Sequence, residues 1–77
     1  PKEPYLWYLL AEVQGLSGNI IGLHRARAEY FILNGNLDAA QRQLNYALKL
    51  LNDDFTISAL INERLRDISQ IRAALDR

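Results

Sequence analysis

Apolar residues recur along this chain at intervals of three and four, the spacing that lines one side of an α-helix. The spacing predicts a first helix over about residues 4–17, with Leu6, Leu9, Leu10, Val13 and Leu16 on one side. Pro4 suits its first turn, where a missing N–H costs nothing, and Gly18-Asn19 breaks it. A second helix is expected over about residues 20–34. Ile20, Leu23, Tyr30 and Leu33 form one stripe and Ile21, Ala28, Phe31 and Ile32 another, so this helix should lie sandwiched between neighbours. Gly35-Asn36 ends it, through Gly35 at the C′ position or Asn36 as the next N-cap.

The third helix, about 37–51, has a single apolar face of Leu37, Ala40, Leu44, Ala47, Leu48 and Leu51. Asp38 near its start and Lys49 near its end complement the helix dipole. After the polar turn Asn52-Asp53-Asp54 a fourth helix should run over about 55–75. Its stripe is Ile57, Leu60, Ile61, Leu65, Ile68, Ile71 and Leu75. On its wet side Glu63 with Arg66 and Arg64 with Asp67 are expected as i,i+3 pairs, each worth a few tenths of a kcal/mol. No strand alternation competes anywhere. The fold class is all-α, antiparallel helix hairpins within one domain.

Composition narrows the function. Nine basic residues balance nine acidic ones, which argues against nucleic-acid binding, because that rests on clustered Lys and Arg neutralising phosphates. No apolar run approaches the roughly 20 residues of a membrane span; the longest is Leu6–Ala11. With no cysteine and one histidine, neither disulfides nor a structural zinc site is expected, and no cofactor. A chain this short buries only about 60% of the surface its unfolded form exposes. Its stability must come from the packing that 49% hydrophobic content makes feasible, or from neighbours. It begins Pro-Lys-Glu-Pro and contains no methionine, so it is expected to be cut from a longer protein.

The turns carry the most information. Gly18-Asn19, Gly35-Asn36 and Asn52-Asp53 stand seventeen residues apart, half of the 34-residue tetratricopeptide period. Residues 24–52 resemble that repeat. Ala28, Phe31, Gly35, Ala40, Leu44, Ala47 and Leu48 stand where the family places small, aromatic, glycine, alanine, bulky, alanine and leucine residues. His24, Arg27 and Asn52 depart from the usual tryptophan, leucine and proline. Trp7, Leu10, Ala11 and Gly18 fit the opening half of the same consensus, with Gln14 replacing an aromatic. Two phases are therefore open, and the fuller signature favours pairing the second helix with the third. The resemblance implies a fragment of a right-handed superhelix of about four helices.

Ala26-Arg27-Ala28-Glu29-Tyr30 followed by Asn34-Gly35-Asn36-Leu37-Asp38, with Trp7–Glu12 before and Ala59–Leu65 after, is similar to the C-terminal end of the BepA (YfgC) group. Those are periplasmic zinc metalloproteases with a C-terminal tetratricopeptide domain. The resemblance implies a periplasmic, non-catalytic module that docks client proteins, outer-membrane barrels or their assembly machinery. Zinc would belong to the parent's catalytic domain, and none of its ligands is matched here.

In the favoured phase Arg25, Glu29 and Ile32 line the concave groove and contact a protein or peptide; the plainer reading is a solvated face with Arg25 and Glu29 paired at i,i+4. Tyr5 and Tyr8, beside Trp7, form either a binding edge or the remains of packing against a preceding repeat, with Trp7 in the core. A homodimer through that edge is a further expectation. His24 has only Glu29 near it, so a half-buried or surface helix residue is expected rather than a metal ligand. Ser17, Ser58, Ser69 and Thr56 have no base in a recognisable arrangement, so no catalysis is expected of this stretch. The alternative function is structural: a capping or homo-oligomerising end, with Arg64, Arg66, Asp67, Arg72 and Asp76 on an outer wet face.

Overall fold

The computed structural model describes residues 2–76, and among them there are four helices and no strand. The helices are α1 (Pro4–Leu16), α2 (Ile20–Leu33), α3 (Leu37–Leu50) and α4 (Phe55–Leu75). Each lies within one residue of the span its apolar spacing predicts. The protein is all-α, with successive helices folded back on one another in hairpin fashion.

The first two turns are built alike. Gly18 and Gly35 take φ values of +83° and +77°, the left-handed region that glycine enters without a Cβ penalty. At the end of α1 the Gly18 N–H donates to the Gly15 carbonyl at 3.1 Å and the Asn19 N–H to Gln14 at 2.9 Å. At the end of α2, Gly35 donates to Ile32 at 3.0 Å and Asn36 to Phe31 at 2.8 Å. Both are Schellman motifs, which satisfy carbonyls a helix end leaves without partners. Each asparagine then caps the next helix. Asn19 Oδ1 accepts from the Gly22 N–H at 2.9 Å and Asn36 Oδ1 from the Ala39 N–H at 3.1 Å. The third turn uses another route: Leu51 is extended, and Asp54 Oδ1 accepts from the Ile57 N–H at 3.0 Å.

The core belongs to α2, α3 and α4. Ala28, Leu37, Ala40, Leu44, Ala47, Ile61 and Ile68 are buried together, with Phe31, Ile32, Leu48 and Leu65 among the residues packed around them. The single face predicted for α3 is the buried one. In α4, Ile61 and Ile68 are buried as that stripe requires, while Leu60 and Leu75 at its margins stay exposed. The molecule is flat, 41 × 29 × 17 Å between its Cα atoms, so most helices are covered on few sides.

The first helix departs from expectation. It meets α2 through small residues: Ala11 and Ala26 are buried, and a Cβ on Gly15 would come within 2.7 Å of Leu23 Cδ1. Its apolar stripe points away, leaving Leu6, Leu9, Leu10, Val13 and Leu16 all exposed. Ala11 and Gly15 leave just enough space for Leu23 of α2, so α1's own leucines are turned away from the contact. Trp7, expected in the core, is only half-buried and lies outside the core cluster.

The wet face expected on α4 is also partly dry. Arg72 turns onto α3, donating from Nη1 to Gln41 Oε1 at 2.6 Å and from Nη2 to Asp38. Arg64 turns onto α2. Arg66 and Asp76 are exposed as expected.

Candidate protein-docking groove

A surface groove shared by all four helices follows from that packing. With α1 and α4 on opposite sides and α2 between them, an open groove of about 510 Å³ forms. Trp7 and Leu10 line it from α1, Arg25 and Glu29 from α2, and Leu60 and Glu63 from α4. Of the three residues predicted for a groove, the structure brings Arg25 and Glu29 together in it. It does not place Ile32 there: one turn beyond Glu29 the helix meets the core, and Ile32 packs against it.

The expected Arg25–Glu29 pair is not among the ion pairs. Glu29 instead accepts two bonds from Arg64, from Nε to Oε2 and from Nη2 to Oε1, each 2.9 Å. Arg64 Nη1 also donates to Asp67 at 3.1 Å, the one of the two predicted i,i+3 pairs that forms. A bidentate guanidinium–carboxylate pair fixes direction as well as distance. The hydrogen bond to Glu29 holds the Arg64 guanidinium above its ordinary pKa, outweighing the opposing effect of partial desolvation. Arg64 is therefore cationic at every working pH and serves as a strut from α4 to α2.

With Glu29 engaged, Arg25 is half-buried in the groove and, among the described residues, has no ion pair or hydrogen bond. Glu63 across from it is exposed and likewise unpaired. The groove thus offers apolar side chains from Trp7, Leu10 and Leu60 between a free cation and a free anion. Such a surface combines apolar contact area with two charges of opposite sign that can orient a ligand.

The remaining candidates lie elsewhere. Tyr5 and Tyr8 are exposed and stacked at 6.5 Å and 9°, and Tyr8 leans on Tyr30 of α2 at 5.9 Å. The edge predicted there is one end of an aromatic ladder, not a part of the groove. His24 is half-buried and bound to Gln43 Oε1 through Nδ1 at 2.7 Å, its ring 5.4 Å from Tyr46. That contact ties α2 to α3. Among the described residues no group of three or more His, Cys, Asp or Glu could hold a metal ion, and no helix is long and apolar enough to cross a membrane.

Sequence reasoning missed α4's share of the groove, Leu60, Glu63 and the Arg64 strut. A signal was present. Glu29 and Arg64 stand 35 residues apart and Asp38 and Arg72 stand 34 apart, close to twice the seventeen-residue spacing of the turns. No protein family, curated protein or solved structure matches this chain, which leaves the groove's own residues to indicate what it holds.

Proposed function

We propose that this chain is a tetratricopeptide-like docking module that binds a polypeptide segment in the groove between α1 and α4. The observation that carries this is Arg25, a half-buried cation without a partner, set among apolar side chains in an open groove. A carboxylate brought into the groove would give Arg25 the charge-assisted hydrogen bond that its own chain does not supply. The cognate segment therefore carries a carboxylate to meet Arg25, an apolar side chain to lie on Trp7 and Leu60, and a basic group toward Glu63. Alternative catalytic roles have no comparable feature to support them.

The resemblance around Ala26–Tyr30 and Asn34–Asp38 extends the proposal to an owner. The module serves a periplasmic zinc metalloprotease of the BepA type by docking outer-membrane client proteins or their assembly machinery. The Gly-Asn turns at half a repeat period support the repeat reading.

Titration of the purified chain with purified barrel-assembly components tests both parts. Saturable binding, weakened at least on the order of tenfold by Arg25→Glu as loss of a desolvated charge pair requires, is the expected result. Absence of binding removes the proposed owner. Binding that Arg25→Glu leaves unchanged removes the groove.

A further inference from the structure

Half of the exposed large apolar side chains among the described residues, seven of fourteen, lie on α1. They are Tyr5, Leu6, Tyr8, Leu9, Leu10, Val13 and Leu16, with exposures from 37% to 87%. Glu12 is the only charged residue in this helix. All but Tyr8, which leans on Tyr30 of α2, share one side and expose an area of the order of 600 Å², the lower end of what one partner gives to a stable interface. Monomers rarely leave patches beyond a few hundred Å² uncovered. This face is separate from the proposed docking groove, touching it only at Leu10.

The spacing identifies the occupant. Leu6, Leu9, Val13 and Leu16 fall at successive a, d, a and d positions of a heptad, the seam of a coiled coil. The residues that face α2 sit at other heptad positions: Trp7 and Gln14 at b, Ala11 at f and Gly15 at c. So α1 carries one dry side toward its own chain and a second, heptad-spaced side toward solvent. Leucines at both d positions, Leu9 and Leu16, and a β-branched residue at one of the two a positions, Val13 but not Leu6, follow the preference of two parallel strands. In that arrangement the g position of one helix meets the following e position of the other. Glu12 would face Ser17, and Tyr5 would face Leu10, so no like charges meet and the seam gains apolar flanks.

We infer that α1 is the interface with a second copy of this chain, packed in parallel and in register along Leu6, Leu9, Val13 and Leu16. The interface is isologous, so one patch complements itself.

Sedimentation across a concentration series, together with cysteine cross-linking, tests this. The chain has no cysteine, so Val13→Cys introduces one thiol that meets its own copy only in the parallel, in-register pair. Mild oxidation should cross-link Val13→Cys on the order of tenfold faster or more than Lys49→Cys on exposed α3, because a paired thiol experiences a millimolar effective concentration. Leu9→Glu changes an exposed residue, so it should keep helical circular dichroism and sediment as a monomer. A wild-type chain monomeric at about 1 mM, where even weak pairing shows, overturns the inference. So does a dimer that survives Leu9→Glu. A monomer that instead takes up an added leucine-rich amphipathic peptide on α1 assigns the face to a different partner, and overturns it also.

Discussion

α1 and α3 are of nearly equal length, each reads as a helix with an apolar stripe, and their stripes end in opposite places. In α3 the stripe is the core: Leu37, Ala40, Leu44 and Ala47 are buried, and Leu44 is 2% exposed. In α1 the stripe is the outside, and Leu16 is 87% exposed. The difference lies in the polar residues. Asp38, Gln41, Arg42, Gln43, Asn45 and Lys49 mark the wet side of α3 and so fix its dry one. In α1 only Glu12 and Gln14 break an otherwise apolar or small sequence. A helix apolar all round has more than one dry side, and leucine content alone does not say which side meets its own chain. Small residues decide it, because Ala11 and Gly15 permit the closest backbone approach.

Truncation breaks or upholds that contrast most forcefully. Leu44→Ala should cost about 2–5 kcal/mol, since it opens a cavity among fully buried neighbours. Leu16→Ala should stay within about 0.5 kcal/mol in urea unfolding of dilute, monomeric protein. Equal costs would mean that α1 belongs to the core after all.

The tie between α4 and the rest comes next in size. Arg64→Ala leaves the Glu29 carboxylate without its bidentate partner, and both side chains are partly exposed. The expected loss is about 1 kcal/mol once solvent screening is allowed for. A double-mutant cycle with Glu29→Gln should show coupling of the same sign, whereas additivity would make the strut energetically idle. Hydrogen exchange should rise in α4 before it rises in α3. Because the Arg64 pKa is raised and already above the working range, its contribution is lost only as pH climbs past that raised value. Stability should therefore show no step near neutrality from this pair.

Asn36→Ala removes the cap of α3 and should cost about 1 kcal/mol by the same unfolding measurement. A small change in stability, within about 0.5 kcal/mol, is expected for Arg25→Glu, although it should weaken docking at least on the order of tenfold. A stability change of several kcal/mol there would recast Arg25 as structural.

Helix limits and turns were legible because their causes are local. Gly18, Gly35, Asn19, Asn36 and Asp54 act within a few residues of themselves. The core face of α3 was legible because its polar residues are segregated. Of the residues read as one groove, Arg25 and Glu29 line a common groove and Ile32 packs on the core instead. Partner choice was the unreadable part. An Arg25–Glu29 pair at i,i+4 is a weak local contact, and it loses to the bidentate Arg64 fork, which exists only once α4 has folded across α2. The same limit hid the roles of Leu60 and Glu63, since a groove wall is set by neighbouring helices.

The most direct test of the central claim is an amide-by-amide NMR titration of the isotope-labelled chain with a purified barrel-assembly component. Docking in the groove predicts the largest perturbations at Arg25, Glu29, Leu60 and Glu63, with the exposed back of α3 around Asn45 and Lys49 unmoved. Perturbations confined to Asn45 and Lys49, or a spectrum that does not change at saturating partner, would contradict it.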